Sequence, residues 1–435
     1  MLNIQEMLDQ EVQPALGCTE PGAVALAVAR ACEEISVAGD ALHITLKVSD
    51  SIYKNGMAVG VPGVRGARGN AVAAALAARC GRSEYGLEVL KDSRPEDVAE
   101  AIHCVNEGRV HIDHLPERNG VYVEATVIGS KDAATCTIED THSNITNVTK
   151  NSRVVFRGET CREARNSPSV SEWIGQASYA DLFGALDLAT ASDVEYLLKG
   201  EAMNREIAEY GLHDHDLLES NYGRTLQASM ICGDCSNDLG YRIRYNCYAA
   251  AEARMAGVQL PVMSSAGSGN SGITSILPVA IVGEALGEDR THIAKAILLS
   301  HLTTSYVKAK VGRLTAVCGC AVASGAGAAA AIALLLGGGL DETARAIRTV
   351  LANTAGMFCD GAKESCALKV GTAAHEAYLA AVFAVRGKGI DKTQGVADQD
   401  IDQTVDNVAR MNRDGMKDVD RVMIAIMDER APKTD

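Results

Sequence analysis

Residues 359–366 read Cys359-Asp-Gly-Ala-Lys-Glu-Ser-Cys366, and the second cysteine opens a small-residue run, 366–385, with the pattern of a buried helix. About forty residues upstream, Cys318-Gly-Cys320 stands at the head of a similar run, 320–336. Working outward, residues 280–300 and 341–355 also read as helices, and their Ala and Gly content lets such helices pack closely. These runs predict a large helical lobe in the C-terminal part of the chain. Thiolates bind soft metals and iron–sulfur clusters. Three of them gathered from distant segments would hold a cluster and leave one iron without a protein ligand, the open position that catalysis needs. A single free cysteine reads as core, because Cys is among the most buried residue types. A pair enclosing Asp360, Gly361 and Lys363 carries the metal reading beside the packing one.

The chain has 435 residues, enough for two or three domains or two large lobes. Hydrophobic residues make up 47% and aromatics only 4%, with 41 glycines, which suits close helix packing better than an aromatic-rich sandwich. A net charge of −15 without a basic stripe argues against a nucleic-acid partner. The 13 cysteines have no repeating spacing, and the opening segment Met1–Gln13 is amphipathic and carries Glu6, Asp9 and Glu11. Both features predict a cytoplasmic protein without a signal peptide, its thiols kept for packing or metal. The most membrane-like stretch, 321–339, is mostly Ala and Gly and reads as a buried helix.

Ile4, Met7, Leu8 and Val12 have helical spacing, and Pro14 ends that helix. Next comes an Ala/Val run to Ile35, in which Thr19 or Glu20 caps a second helix and Pro21 fits its first turn. Cys18 then sits at a helix N-terminus, whose partial positive charge favours a thiolate. Such a thiolate serves as nucleophile, ligand or base; the plain alternative is a packed turn residue. Residues 42–48 alternate as a half-buried strand that runs into a turn, Asp50–Gly56, presenting Lys54 and Asn55. Gly60, Gly63, Gly66 and Gly69 punctuate a loop whose Arg65 and Arg68 face either an anionic substrate group or solvent. Residues 71–80 read as a helix. Residues 110–112, 121–128, 134–139 and 145–148 are β-prone, with a turn at Asn119-Gly120. The class is therefore α+β. Residues 1–165 form an α+β lobe with a mainly antiparallel sheet, its first helices packing on the other lobe, and 166–435 form the larger all-helical lobe. His111, His114 and His142 lack metal spacing and read as surface or turn residues.

Residues 193–210 read as a long amphipathic helix. Cys232-Gly-Asp-Cys235 is a CxxC, but no second CxxC partners it and no thioredoxin-like strand precedes it. The segment Pro261–Gly272 brings hydroxyls, an amide and backbone N–H groups just ahead of an apolar helix, which suits a small anion such as an amino-acid carboxylate. It lacks the residue order of a P-loop. Val405, Val408 and Met411, then Val419, Val422, Met423 and Ile426, mark two final amphipathic helices. The chain contains no internal repeat.

The segments Gly17-Cys-Thr-Glu20, Lys54-Asn-Gly56, Gly267-Ser-Gly-Asn-Ser-Gly272, Cys318-Gly-Cys320 and Cys359-Asp-Gly-Ala-Lys-Glu-Ser-Cys366 resemble those of the L-cysteine desulfidase family, a relative of the iron–sulfur L-serine dehydratases. The closing Gly415-Met-Lys-Asp-Val-Asp420 fits too, so the resemblance spans nearly the whole chain. It implies a [4Fe–4S] cluster held by three cysteines and a carbon–sulfur lyase converting L-cysteine to pyruvate, ammonia and hydrogen sulfide. Carried over, Cys359 and Cys366 become cluster ligands. Cys318 and Cys320 both lie near the third ligand's expected separation; Cys320 is taken, because its Gly-Cys step resembles that of the dehydratases. Cys18 takes the position of the family's catalytic cysteine outside the cluster and is expected to act as the base. Ser268, Asn270 and Ser271 are expected at the substrate carboxylate, with Lys54, Asn55 and Lys363 completing the substrate-binding set. Two other readings stand beside this one: an iron–sulfur L-serine dehydratase, and a non-catalytic cluster-bearing sensor, which would need neither Cys18 nor the Ser/Gly loop. An amino acid is the expected partner, with no nucleic acid and no membrane, in a homodimer by default.

Overall fold

The alternation across residues 43–49 folds into a strand that becomes the second member of a six-stranded sheet. The computed structural model describes residues 2–35, 42–62, 67–118, 120–158, 170–213, 218–229 and 238–430. In chain order the strands are β1 (Pro14–Leu16), β2 (His43–Ser49), β3 (Val110–Leu115), β4 (Tyr122–Ile128), β5 (Ala133–Glu139), β6 (Ile145–Lys150), β7 (Arg153–Arg157) and β8 (Pro261–Met263). The sheet order is β3-β2-β4-β5-β6-β7; β2 and β3 are parallel, and every other neighbour is antiparallel. Pairing register lines Leu46, Ala125, Cys136 and Val148 into one buried row. That row belongs to a core shared with the helix Thr19–Cys32, on which the helix Asn70–Cys80 packs. The other face carries pairs such as Lys47–Glu124, in keeping with the period-two alternation.

Three local features depart from the reading of the N-terminal part. Residues Asp50–Gly56 form a short helix rather than a turn, because Ile52 is drawn into the core and Asp50 sits favourably in the first helical turn. A further helix, Pro95–Asn106, starts with proline in its first turn and with the Asp97 carboxylate accepting from Arg94 N at 3.1 Å. Strand β7 adds an edge whose residues are exposed on both faces, so burial gives it no alternation to read.

The chain begins on the opposite lobe. Leu2, Ile4, Met7, Leu8 and Val12, on and beside the helix Ile4–Glu11, lie in the core of the helical part. Strand β1 pairs antiparallel with β8. The ribbon continues with Ser264 N donating to Gln13 O at 2.9 Å and Ala266 N to Glu11 O at 2.7 Å. This ribbon draws Gly17–Glu20 alongside the Ser/Gly loop, although the two are far apart in sequence.

Within the helical part, the helix Gly325–Leu335 is central and almost wholly Ala and Gly. It packs among the helices Gly269–Leu286, Arg290–Val311, Leu340–Thr354 and Cys366–Val385. Residues 280–300 do not make one helix as expected. Gly287 ends the first in a left-handed conformation, and the Asp289 side chain caps the second by accepting from His292 N at 2.9 Å. The membrane-like stretch is a π-helical turn, Cys320–Ser324, followed by the buried helix; no helix among the described residues is long and apolar enough to cross a membrane. The final helix, Val419–Arg430, packs on the helix Asp50–Gly56, with Tyr53 Oη donating to Asp428 Oδ1 at 3.1 Å. Gly63, Arg65, Gly66, Asn119, Cys232, Cys235 and the 165/166 boundary lie outside the described residues.

Candidate active site

One cavity of about 160 Å³ is walled by both parts of the chain. Cys318, Cys320, Cys359 and Cys366 all line it. A bridge between Val317 and Phe358 holds the two cysteine segments side by side, with Cys318 N donating to Met357 O at 2.8 Å and Cys359 N to Ala316 O at 2.6 Å. Cys320 opens the π-helical turn, a feature that recurs at functional sites. Cys366 opens the helix Cys366–Val385. The four thiols are not equivalent. The hydrogen bond from Cys318 brings the Cys320 pKa down to about 6 against the upward pull of burial, helped by Lys308 and by the Ser271 and Ser268 hydroxyls. The same bond, and burial, push Cys318 up, while burial pushes Cys366 to about 11 and raises Cys359.

Among the described residues, no three His, Cys, Asp or Glu are drawn together tightly enough to hold a single ion. A cluster distributes its ligands over separate irons, so it needs thiols arranged round a space rather than on a point. Four thiols facing one cavity from two segments make a soft donor set that fits such a group.

The facing wall comes from the N-terminal segment. Cys18 is the N-cap of the helix Thr19–Cys32, and its thiol donates to Glu20 Oε2 at 2.9 Å. Burial and then the Glu20 carboxylate push the thiol well above its ordinary value. Burial, with the carboxylate two residues on, thus works against the thiolate that the helix terminus favours. Glu20 also accepts from Asn55 Nδ2 at 2.8 Å and Thr19 Oγ1 at 3.1 Å. Burial alone would raise its carboxyl, but His142 and the hydrogen bonds from Cys18 and Asn55 hold it below the usual value. Asn55 in turn accepts from Cys359 Sγ at 3.7 Å and so links the two walls.

The third wall is the Ser/Gly segment. Ser265 and Ser268 exchange backbone hydrogen bonds of 3.1 Å across Ala266-Gly267, both with positive φ, as a type I′ turn requires. Ser268 then caps the helix Gly269–Leu286, so Asn270 and Ser271 belong to its first turn rather than to a loop. Ser268, Asn270 and Ser271 all line the cavity.

Asn55, the three Ser/Gly-segment residues and all four cysteines thus meet around one space. Lys54 and Lys363 do not. The Lys54 ammonium is buried against Asp420 Oδ1 at 2.6 Å and Cys359 O at 3.2 Å, which makes it a brace behind the cysteine segment. Lys363 turns back on its own segment, to Asp360 O at 3.0 Å and the Asp360 carboxylate at 2.7 Å. Arg68 pairs with Glu364 at 2.9 Å and Glu219 at 3.0 Å rather than facing a substrate.

Six charged or titratable lining residues were given no site role by the sequence: Glu20, His142, Arg254, Lys308 and the ion-paired Arg313 and Glu11. His142 lies in the turn between β5 and β6, as read, but is buried. Burial lowers its pKa, and its Nε2 has no partner among the described residues. Lys308 Nζ donates to Ala266 O at 3.2 Å, and burial brings its pKa down to about 8. The available signals were charges inside otherwise uncharged helical runs: Arg254, with Glu252, within 249–256, and Lys308 within 302–309.

The family model described as serine dehydratase alpha chain matches residues 84–425. A UPF0597 protein of Kosmotoga olearia is 39% identical over 431 residues, covering 99% of each chain. A UPF0597 protein of Desulfatibacillum aliphaticivorans is 37% identical over 433 residues, covering 98% of each. One from Nitratidesulfovibrio vulgaris (strain DSM 19637 / Miyazaki F) is 38% identical over 446 residues, covering 98% of this chain and 99% of its own. Matched by that model over most of its length, the chain belongs to the serine dehydratase alpha chain family, whose members are generally iron–sulfur dependent.

Proposed function

We propose that the protein is an L-cysteine desulfidase: an iron–sulfur lyase that removes hydrogen sulfide from L-cysteine and leaves pyruvate and ammonia. The observation that carries this reading is the convergence of Cys320, Cys359 and Cys366 with the Cys18–Glu20 pair and the Ser268–Ser271 turn on one cavity. When bound by those three cysteines, a [4Fe–4S] cluster supplies a Lewis acid at its open iron for the departing β-substituent. Cys320 is assigned as third ligand over Cys318 because its Gly-Cys step resembles that of the dehydratases and it opens the π-helical turn at the cavity wall.

The protein's own residues do the rest. Ser268, Asn270 and Ser271 orient the amino acid so that its Cα–H and Cβ–S bonds align for elimination. Glu20, 2.9 Å from the Cys18 sulfur, takes the thiol proton, and the resulting thiolate removes the α proton. Asn55 keeps Glu20 turned toward Cys18. The released aminoacrylate tautomerises and hydrolyses to pyruvate and ammonia.

A second reading, elimination of water from L-serine, is favoured by the description of the family and uses the same residues. Steady-state rates on both amino acids, with anaerobically prepared protein, separate the two. A higher kcat/KM for L-cysteine with equal sulfide and pyruvate supports the desulfidase; the reverse order makes the protein a serine dehydratase. Iron-loaded protein that forms pyruvate from neither would contradict both.

A further inference from the structure

The hydroxyls and amide of the Ser268–Ser271 turn are neutral, whereas the substrate of the proposed elimination carries a full negative charge on its carboxylate. We propose that Arg254 recognises that carboxylate, so that the site takes free α-amino acids and discriminates against those whose carboxyl is amidated. The inference rests on the elimination reading given above.

Arg254 lies in the last turn of the helix Leu239–Met255, within a run of small buried residues. Its side chain is 2% exposed and lines the cavity. Nη1 donates to Asn270 Oδ1 at 3.1 Å, and Nε is buried without a partner among the described residues. Among the described residues no carboxylate stands within ion-pair distance of Arg254, unlike Arg313, which has Glu11, and Lys54, which has Asp420. A buried guanidinium with an incomplete set of partners is costly, and one facing a cavity has room for an anion to complete it. The backbone opposite is cut back to admit the group: a Cβ on Gly269 would fall 2.2 Å from Arg254 Nε and 2.6 Å from Cζ. The guanidinium therefore lies against the start of the helix Gly269–Leu286, where free N–H groups add to the pull on an anion.

The placement also suits the chemistry. A planar fork of donors matches a carboxylate in two parallel hydrogen bonds, which a lysine does not reproduce. Arg254 stands near enough to Cys18 to favour its ionised form, so a carboxylate on Arg254 brings the attached α carbon toward the Cys18 sulfur. Lys308 is a poorer candidate, because its ammonium is engaged by Ala266 O and stands beside the Cys320 thiolate.

The test uses L-alanine, which has no leaving group, and L-alaninamide, which has no carboxylate. Both are titrated by calorimetry into iron-loaded parent, Arg254→Met and Arg254→Lys proteins. The parent is expected to bind L-alanine at least about ten-fold more tightly than L-alaninamide. Arg254→Met is expected to bind the two alike, and Arg254→Lys, which keeps the charge if the Met variant misfolds, to lose most of the difference with its iron content unchanged. Variants that retain the parent's ratio, whether or not both affinities fall, would overturn the inference. A parent that binds neither ligand would overturn the elimination reading itself, and this inference with it.

Discussion

Cys18 and Glu20 share one proton in a buried wall: the thiol donates to the carboxylate at 2.9 Å, and both residues are more than nine-tenths buried. A thiol at a helix N-terminus is ordinarily the more acidic for it. Here burial, and then the carboxylate that follows, reverse the sign, so the resting pair is thiol plus carboxylate. In the proposed mechanism the pair becomes a base by passing that proton to Glu20 before the α proton is taken.

Glu20→Gln removes the acceptor while keeping the side-chain shape and the Asn55 neighbour. Turnover is expected to fall about 10²–10⁴-fold, the usual contribution of a positioned acid–base group, with iron content unchanged. Cys18→Ser is expected to fall similarly. Parent-like kcat in either variant, measured on iron-loaded protein, would remove the pair from the mechanism.

In metal-free protein, Cys320 is expected to be the first of the four clustered cysteines alkylated by iodoacetamide at pH 7, because its pKa lies near 6 while the other three are raised. Its rate should decline as pH drops through about 6. Lys308→Met should shift that decline to higher pH. Peptide mass spectrometry against time reads the order; Cys359 or Cys366 reacting first would refute the assignment of the thiolate.

Lys54 holds the Cys359 carbonyl and Asp420 together from a nearly solvent-free position. Lys54→Met strands Asp420, which keeps some exposure, so the expected loss is about 2–3 kcal/mol, below that of a fully buried pair. Asp420→Asn in the same chain should recover part of it. Denaturant unfolding measures both, and a Lys54→Met protein as stable as the parent would show that the brace carries no stability.

Glu252 is buried beneath the helix Tyr222–Ala228 and accepts from Tyr222 N at 2.6 Å and Gly223 N at 3.0 Å. Burial raises its carboxyl to about 7, so between its ordinary value of 4.5 and 7 the folded protein holds a proton that the unfolded chain has lost. Its contribution to stability is then full below about 4.5 and lost as pH rises through 7. Unfolding midpoints across that window should show this decline in the parent and a flatter profile in Glu252→Gln. Equal slopes would rule out Glu252 as its source.

Much of the fold was legible because its signals are local. The period-two run from residue 42 and the Ala-rich run at 366–385 became a strand, His43–Ser49, and a helix, Cys366–Val385, at nearly those bounds. The cysteines could be singled out by spacing alone. The partners that decide their chemistry could not, because they arrive from other elements: Lys308 reaches Cys320 from the helix Arg290–Val311, and His142 comes from the turn between β5 and β6. Lys54 and Asn55 are adjacent in sequence, yet the short helix Asp50–Gly56 sends one to Asp420 and the other to Glu20. A string presents both simply as polar residues in a turn.

The most direct measurement is the iron and acid-labile sulfide content of anaerobically purified protein, beside Cys318→Ser, Cys320→Ser and Cys359→Ser. The account expects about four of each per chain in the parent, retained in Cys318→Ser and lost in the other two together with turnover of L-cysteine. Anaerobic protein that turns over L-cysteine without iron, or Cys359→Ser protein that keeps both cluster and activity, would contradict it.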